Sequence, residues 1–168
     1  MPLILSLGSN LGDRRANLLA AHDALAAHPG MRLVARAPIY ETEPVGVPDR
    51  YRAIRYYNTI VVIESVLDPD ACSVAVHAIE AQLGRRRGAR RNVPRLIDID
   101  LIVCGEARRD TAALRLPHPE AAHRRFVLQP LADVCPGLVL PGQSRTVREL
   151  LAELPPTPAV GLAGEQWE

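Results

Sequence analysis

The stretch "PRLIDIDLIV", Pro94 to Val103, sets the tightest limit on the fold. Ile97, Ile99 and Leu101 alternate with Asp98 and Asp100, and side chains of a strand alternate faces, so the apolar residues share one face and both carboxylates the other. A buried carboxylate costs several kcal/mol, roughly, unless it is paired or bound to a cation. The acidic face therefore requires solvent, arginine or metal.

At 168 residues and 48% hydrophobic composition the chain is expected to form one domain over residues 1–155. A net charge of +1 gives no global case for nucleic acid or an acidic membrane surface, and neither is expected as a partner. All 20 basic residues are arginines. The absence of lysine excludes Walker-type, kinase-type and Schiff-base lysines, leaving arginine, backbone amides or metal for any phosphate chemistry. Cys72, Cys104 and Cys135 are widely spaced and form no CxxC pair, so reduced thiols are expected. No window approaches a membrane span, and "MPLILSLGSN" has no signal-peptide pattern, so a cytoplasmic protein is expected.

Pro2 to Leu7 reads as a buried strand, and the segment from Gly8 to Gly30 as a helix with Leu18, Leu19, His22 and Leu25 on one face. "MRLVARAPIYETEP" reads as a strand with an edge or bulge at Pro38, and "YYNTIVVIES" as a second. "DPDACSVAVHAIEAQLG" carries an Asp68 N-cap, Pro69 at the first helical position and a closing Gly84. A small hairpin follows the aspartate strand, and "TVRELLAEL" opens with a capping box and is expected to be the last helix. The order strand, helix, strand, strand, helix, strand predicts an α+β fold: a ferredoxin-like βαββαβ sandwich, mainly antiparallel, with a C-terminal extension. Residues 156–168 are expected to be a mobile tail that can be deleted without loss of activity.

Two carboxylates two residues apart on a strand can converge on hard cations, and magnesium suits them. A solvated or arginine-paired face is an equally good reading of the pair taken alone. Next to it "RRRGARRNVPR" holds Arg85, Arg86, Arg87, Arg90, Arg91 and Arg95. Arginine forks beside metal-binding carboxylates form equipment for a polyphosphate such as a nucleoside triphosphate. The alternatives are an RNA patch on a ferredoxin-like module, or another magnesium-dependent nucleotidyl or phosphoryl transferase.

Five ordered motifs, "LGSNLGD", "YETEPVG", "YYN", "PRLIDIDLIV" and "LPHP" followed by "RRFVLQPL", together resemble the 6-hydroxymethyl-7,8-dihydropterin pyrophosphokinase family of folate biosynthesis. The resemblance runs from about Leu3 to Leu154. It implies pyrophosphate transfer from ATP to the pterin alcohol with release of AMP. It also implies Asp98 and Asp100 as ligands of two Mg2+ ions, and Arg85 and Arg95 as phosphate contacts that assist transfer. Glu80, Arg87, His118 and Arg124 match ATP-site positions; Thr42, Pro44, Val45, Gly46, Tyr56, Asn58 and Phe126 match pterin-site positions. Asn92 stands where some members carry tryptophan in a loop that closes over the substrates. The segment 85–94 is expected to order over ATP, and the enzyme to be a monomer.

Overall fold

The computed structural model describes residues 1–84 and 94–168. The ATP contacts expected of Arg85 and Arg87, the substitution at Asn92 and the expected ordering of the arginine segment over ATP fall at 85–93, outside the described residues.

Strand β1 (Pro2–Ser9) is longer than expected and runs through Gly8. Helix α1 (Arg14–Ala27) starts only after a turn, because Asp13 caps it by accepting from the Ala16 N–H at 2.9 Å. The expected single strand around Pro38 is two, β2 (Met31–Arg36) and β3 (Tyr40–Thr42). Proline has no N–H to give a ladder, and the chain breaks its pairing there. Strand β4 (Tyr56–Ser65) and helix α2 (Pro69–Gln82, capped by Asp68) follow as expected, then β5 (Asp98–Cys104) and the hairpin β6 (Arg109–Asp110) and β7 (Arg115–Leu116).

The main sheet runs β5-β1-β4-β3, with β2 also paired to β4, and every pairing is antiparallel. This is the ferredoxin-like order. Leu3, Leu5, Leu7, Val61, Ile63, Ile99 and Leu101 face α1 and α2, closing one core with Leu18, Leu25, Val76 and Ile79. Ile4, Ile60 and Ile102 project to the opposite face, into a second core. That core is completed by α3 (Arg125–Val134) and α4 (Val147–Glu153). Helix α4 carries the expected capping box between Thr146 and Glu149. Helix α3 was not expected: it has no side-chain cap and contains Pro130, yet Val127, Leu128 and Leu131 bury one face of it.

Part of the segment expected to be a mobile tail is packed on the sheet. Val160–Leu162 form β8, an edge strand paired to β3. Beyond it Trp167 is only 9% exposed, and its indole N–H donates to the Ala37 carbonyl at 2.7 Å. Burying an aromatic of this size contributes roughly 2 kcal/mol or more, enough to hold a short terminal segment in place.

Candidate active site

Antiparallel register places the polar residues of four strands in rows. Asp98 of β5 lies opposite Gly8 of β1, which lies opposite Asn58 of β4. One step along, Asp100 lies opposite Ser6. Thr42 of β3 lies opposite Tyr56. All of these project to the α3 side of the sheet, beyond the point where Ile4, Ile60 and Ile102 are covered. The uncovered end is a cleft of about 110 Å³.

Of the residues expected to act, Thr42, Pro44, Val45, Tyr56, Asn58, Arg95, Asp98, Asp100, Arg124 and Phe126 all line this cleft. The pterin-matching and phosphate-matching groups therefore share one cavity. Tyr56 is the tyrosine that faces it, while Tyr57 points into the opposite core beneath the Arg14 guanidinium, 3.8 Å from the ring centroid. Burial raises the Tyr56 pKa above 10.0, so at neutral pH it is an un-ionised phenol. Asn58 is held by its own hydrogen bond, its Nδ2 donating to Thr42 Oγ1 at 2.6 Å.

The aspartate strand behaves as its pattern requires. Ile99 and Leu101 are buried, while Asp98 and Asp100 are partly exposed along the cleft. Arg95 Nη1 donates to Asp98 Oδ2 at 3.0 Å. A paired arginine and a hard-oxygen site therefore coexist at Asp98. Two carboxylates on one face suit magnesium, an ion that takes few protein ligands and completes its octahedron with water and substrate phosphates.

Three expected site residues sit elsewhere. Gly46 turns the loop with φ 65° and lines a neighbouring pocket with Arg52 and Arg55 rather than the cleft itself. Glu80 is 1% exposed and does not line it: its Oε1 accepts from the Ile99 N–H at 2.7 Å and its Oε2 lies 3.2 Å from His77 Nδ1. Glu80 thus fixes the backbone between the two aspartates, on the open edge of β5. His118 lines an adjoining groove of about 230 Å³ that it shares with His77 and Asp100. Its Nδ1 accepts from the Glu120 N–H at 3.1 Å, which leaves the proton on Nε2. Burial, then the Arg124 charge, lower its pKa below 6.5, so it is a neutral donor.

Sequence reasoning assigned no role to Ser6, Gly8, Glu43 or Val47, which also line the cleft. Gly8 was legible only as part of a motif. A Cβ there would stand 2.7 Å from Asn58 Oδ1, so any side chain between the aspartates and the amide would have to push the Asn58 amide aside. Ser6 left a fainter signal, a lone hydroxyl among apolar strand residues.

Comparison with known proteins fits this geometry. A 2-amino-4-hydroxy-6-hydroxymethyldihydropteridine pyrophosphokinase of Methylorubrum extorquens is 44% identical over 153 residues, covering 91% of this chain and 93% of the relative. Its namesake in Pseudomonas aeruginosa is 40% identical over 151 residues, covering 90% of each. Among solved structures, HPPK-DHPS in complex with substrates superposes with a TM-score of 0.71 at 14% identity, and wild-type Plasmodium falciparum HPPK-DHPS with 0.70 at 15%. Each match covers 90% of this chain, which spans 42% and 44% of those longer chains, and at such identity the likeness shows the shared fold. Residues 4–136 match the family described as 7,8-dihydro-6-hydroxymethylpterin-pyrophosphokinase, and with relatives at 44% and 40% identity over nine-tenths of its length the chain belongs to that family.

Proposed function

We propose that this cleft carries out the reaction that names the family, transfer of pyrophosphate from ATP to 6-hydroxymethyl-7,8-dihydropterin with release of AMP, a step of folate biosynthesis. One observation carries the reading: Asn58 and Asp98 lie in one row across the sheet with only Gly8 between them. Two strand spacings separate them, about 10 Å. A bicyclic pterin with a hydroxymethyl arm spans that distance, its polar edge at Asn58 and its hydroxyl at the aspartates.

The ring lies between Tyr56 and Phe126, with Asn58 and the backbone from Thr42 to Pro44 reading its polar edge. Asp98 and Asp100 would hold the two magnesium ions. When bound, these neutralise the charge that builds on the phosphate oxygens during in-line displacement. Arg95 and Arg124, both lining the cleft, offer guanidinium forks to the same oxygens, and His118 Nε2 adds a neutral donor from the groove. The pterin hydroxymethyl oxygen attacks the β-phosphorus and AMP leaves. No protein nucleophile is required, because positioning and charge complementarity do the work. Arg85 and Arg87 are proposed as further phosphate contacts.

The enzyme is proposed to act as a monomer, which light scattering tests. Among the described residues no helix is long and apolar enough to cross a membrane, and Cys72, Cys104 and Cys135 are unpaired thiols. Both fit a proposed cytoplasmic location, where thiols stay reduced. The deciding assay supplies ATP, the pterin alcohol and magnesium and separates the nucleotides. AMP formed only when the pterin is present supports the reading; ADP, or no turnover beside salt-sensitive retention of RNA, overturns it.

A further inference from the structure

We infer that the C-terminal segment 159–167 is a positioning strap for the pterin-binding loop, and therefore sets affinity for the pterin more than for ATP. The inference rests on the functional reading above. Residues 37–43 lead directly into the loop that lines the cleft at Pro44, Val45 and Val47. Almost all of that stretch is held from one side by the strap. Trp167 Nε1 donates to the Ala37 carbonyl at 2.7 Å. The Gln166 amide brackets Ile39, its Oε1 accepting from the Ile39 N–H and its Nε2 donating to the Ile39 carbonyl, both at 2.8 Å.

The same Ile39 carbonyl accepts from the Ala163 N–H at 2.9 Å. Tyr40, Glu41 and Thr42 then pair with Leu162, Gly161 and Val160, and the Glu43 N–H donates to the Ala159 carbonyl at 3.2 Å. The strap in turn is tied to α1, where Arg15 Nη2 donates to the Trp167 carbonyl at 2.9 Å. β3 has only three residues, so by itself it pins the loop weakly against β4; the strap adds a second ladder on its other side. Thr42, whose hydroxyl receives the Asn58 amide, is the last residue of β3. A slack strap would let Thr42 move, and Asn58 would lose its orientation toward the ring. Among the described residues no part of the strap lines the cleft or the groove at Asp98, Asp100 and His118; at the phosphate end it meets only Arg124, with which Val160 shares a small pocket beside Phe126, so the pterin loop depends on the strap more than the phosphate end does.

The test is a double variant of the full chain, Gln166→Ala with Trp167→Ala, and a deletion of 159–168, each checked for folding by thermal melting. The KM for the pterin alcohol is expected to rise about tenfold while the KM for ATP changes by less than about twofold, as for lost positioning of one substrate only. If the deleted chain melts below the assay temperature, the double variant decides alone. An unchanged ratio of the two KM values, or equal rises in both, overturns the strap. A wild-type chain that fails to turn over the pterin alcohol would instead overturn the functional reading, whatever the variants do.

Discussion

The two faces of the sheet are built from the same strands with the same two-residue period, yet one is sealed and the other is open at one end. On the α1 and α2 side, β1 presents Leu3, Leu5 and Leu7, all at 0% exposure. On the other side the same strand presents Ile4, Ser6 and Gly8, and only Ile4 lies in the α3 and α4 core. β5 repeats the contrast, with Ile99 and Leu101 to the sealed side and Asp98, Asp100 and Ile102 to the open one. Where helices stop covering a face, the strand can carry charge, because water, arginine and ligand replace the apolar neighbours that make a buried charge costly. The reach of α3 therefore decides where core ends and chemistry begins.

Neighbouring residues on β5 offer the harshest way to break this comparison. Asp98→Ala or Asp100→Ala is expected to lower turnover by about three orders of magnitude or more with little change in melting temperature, since each side chain serves charge rather than packing. Ile99→Ala, one residue away, is expected to cost about 3 kcal/mol of stability while the folded fraction keeps most of its turnover. Parallel urea denaturation and AMP release measure both. Unfolded aspartate variants, or aspartate variants with near-normal turnover, would make the open face a structural one.

A middle effect is expected at Gly8, the spacer between the two ends of the site. In Gly8→Ala the new methyl must displace the Asn58 amide, 2.7 Å away, and with it the bond to Thr42. KM for the pterin is expected to rise about tenfold or more, with ATP affected less. Equal effects on both substrates would show that the row Asn58, Gly8, Asp98 does not divide the cleft as described.

Glu80 sharpens the comparison from behind the strand. Removing its carboxylate in Glu80→Ala leaves the Ile99 N–H without its partner in a buried place, at a cost of roughly 1–3 kcal/mol. Glu80→Gln keeps an acceptor and is expected to recover most of that. Denaturation midpoints beside KM for ATP separate the roles: a KM rise in Glu80→Gln without destabilisation would place the side chain on the nucleotide.

These residues show what the sequence could and could not disclose. The aspartate strand was legible because a period of two is local and needs no partner to be seen. The caps of α2 and α4 were legible for the same reason, whereas the Asp13 cap of α1 went unread and the helix was started too early. Helix α3 was not, since Arg124 supplies no capping side chain and Pro130 argues against a helix that tertiary burial nonetheless imposes. β8 was hidden because three residues between prolines and glycines have no period, and their pairing partner lies some 120 residues earlier. Glu80 was placed at the nucleotide by resemblance, and only the β5 backbone, brought against α2 by the fold, reveals what its carboxylate holds.

The smallest expected effect is a pH dependence at His118, in the groove beside Asp100. Burial, then the Arg124 charge, lower its pKa below the ordinary 6.5. The unfolded chain therefore binds this proton at a higher pH than the native chain does. Between 6.5 and the lower native pKa the unfolded state holds more protons, so stability falls as pH falls through that window. Above it both states are neutral at this residue and nothing is lost. His118→Asn removes the titration while its side-chain oxygen can still accept from the Glu120 N–H. The wild type is thus expected to lose more stability than the variant when urea midpoints are followed from neutral to mildly acidic pH. Taking the difference between the two proteins cancels the other groups that titrate there. Equal slopes would mean that this imidazole stays solvated, and its proposed part as a neutral donor to the phosphates would fall with it.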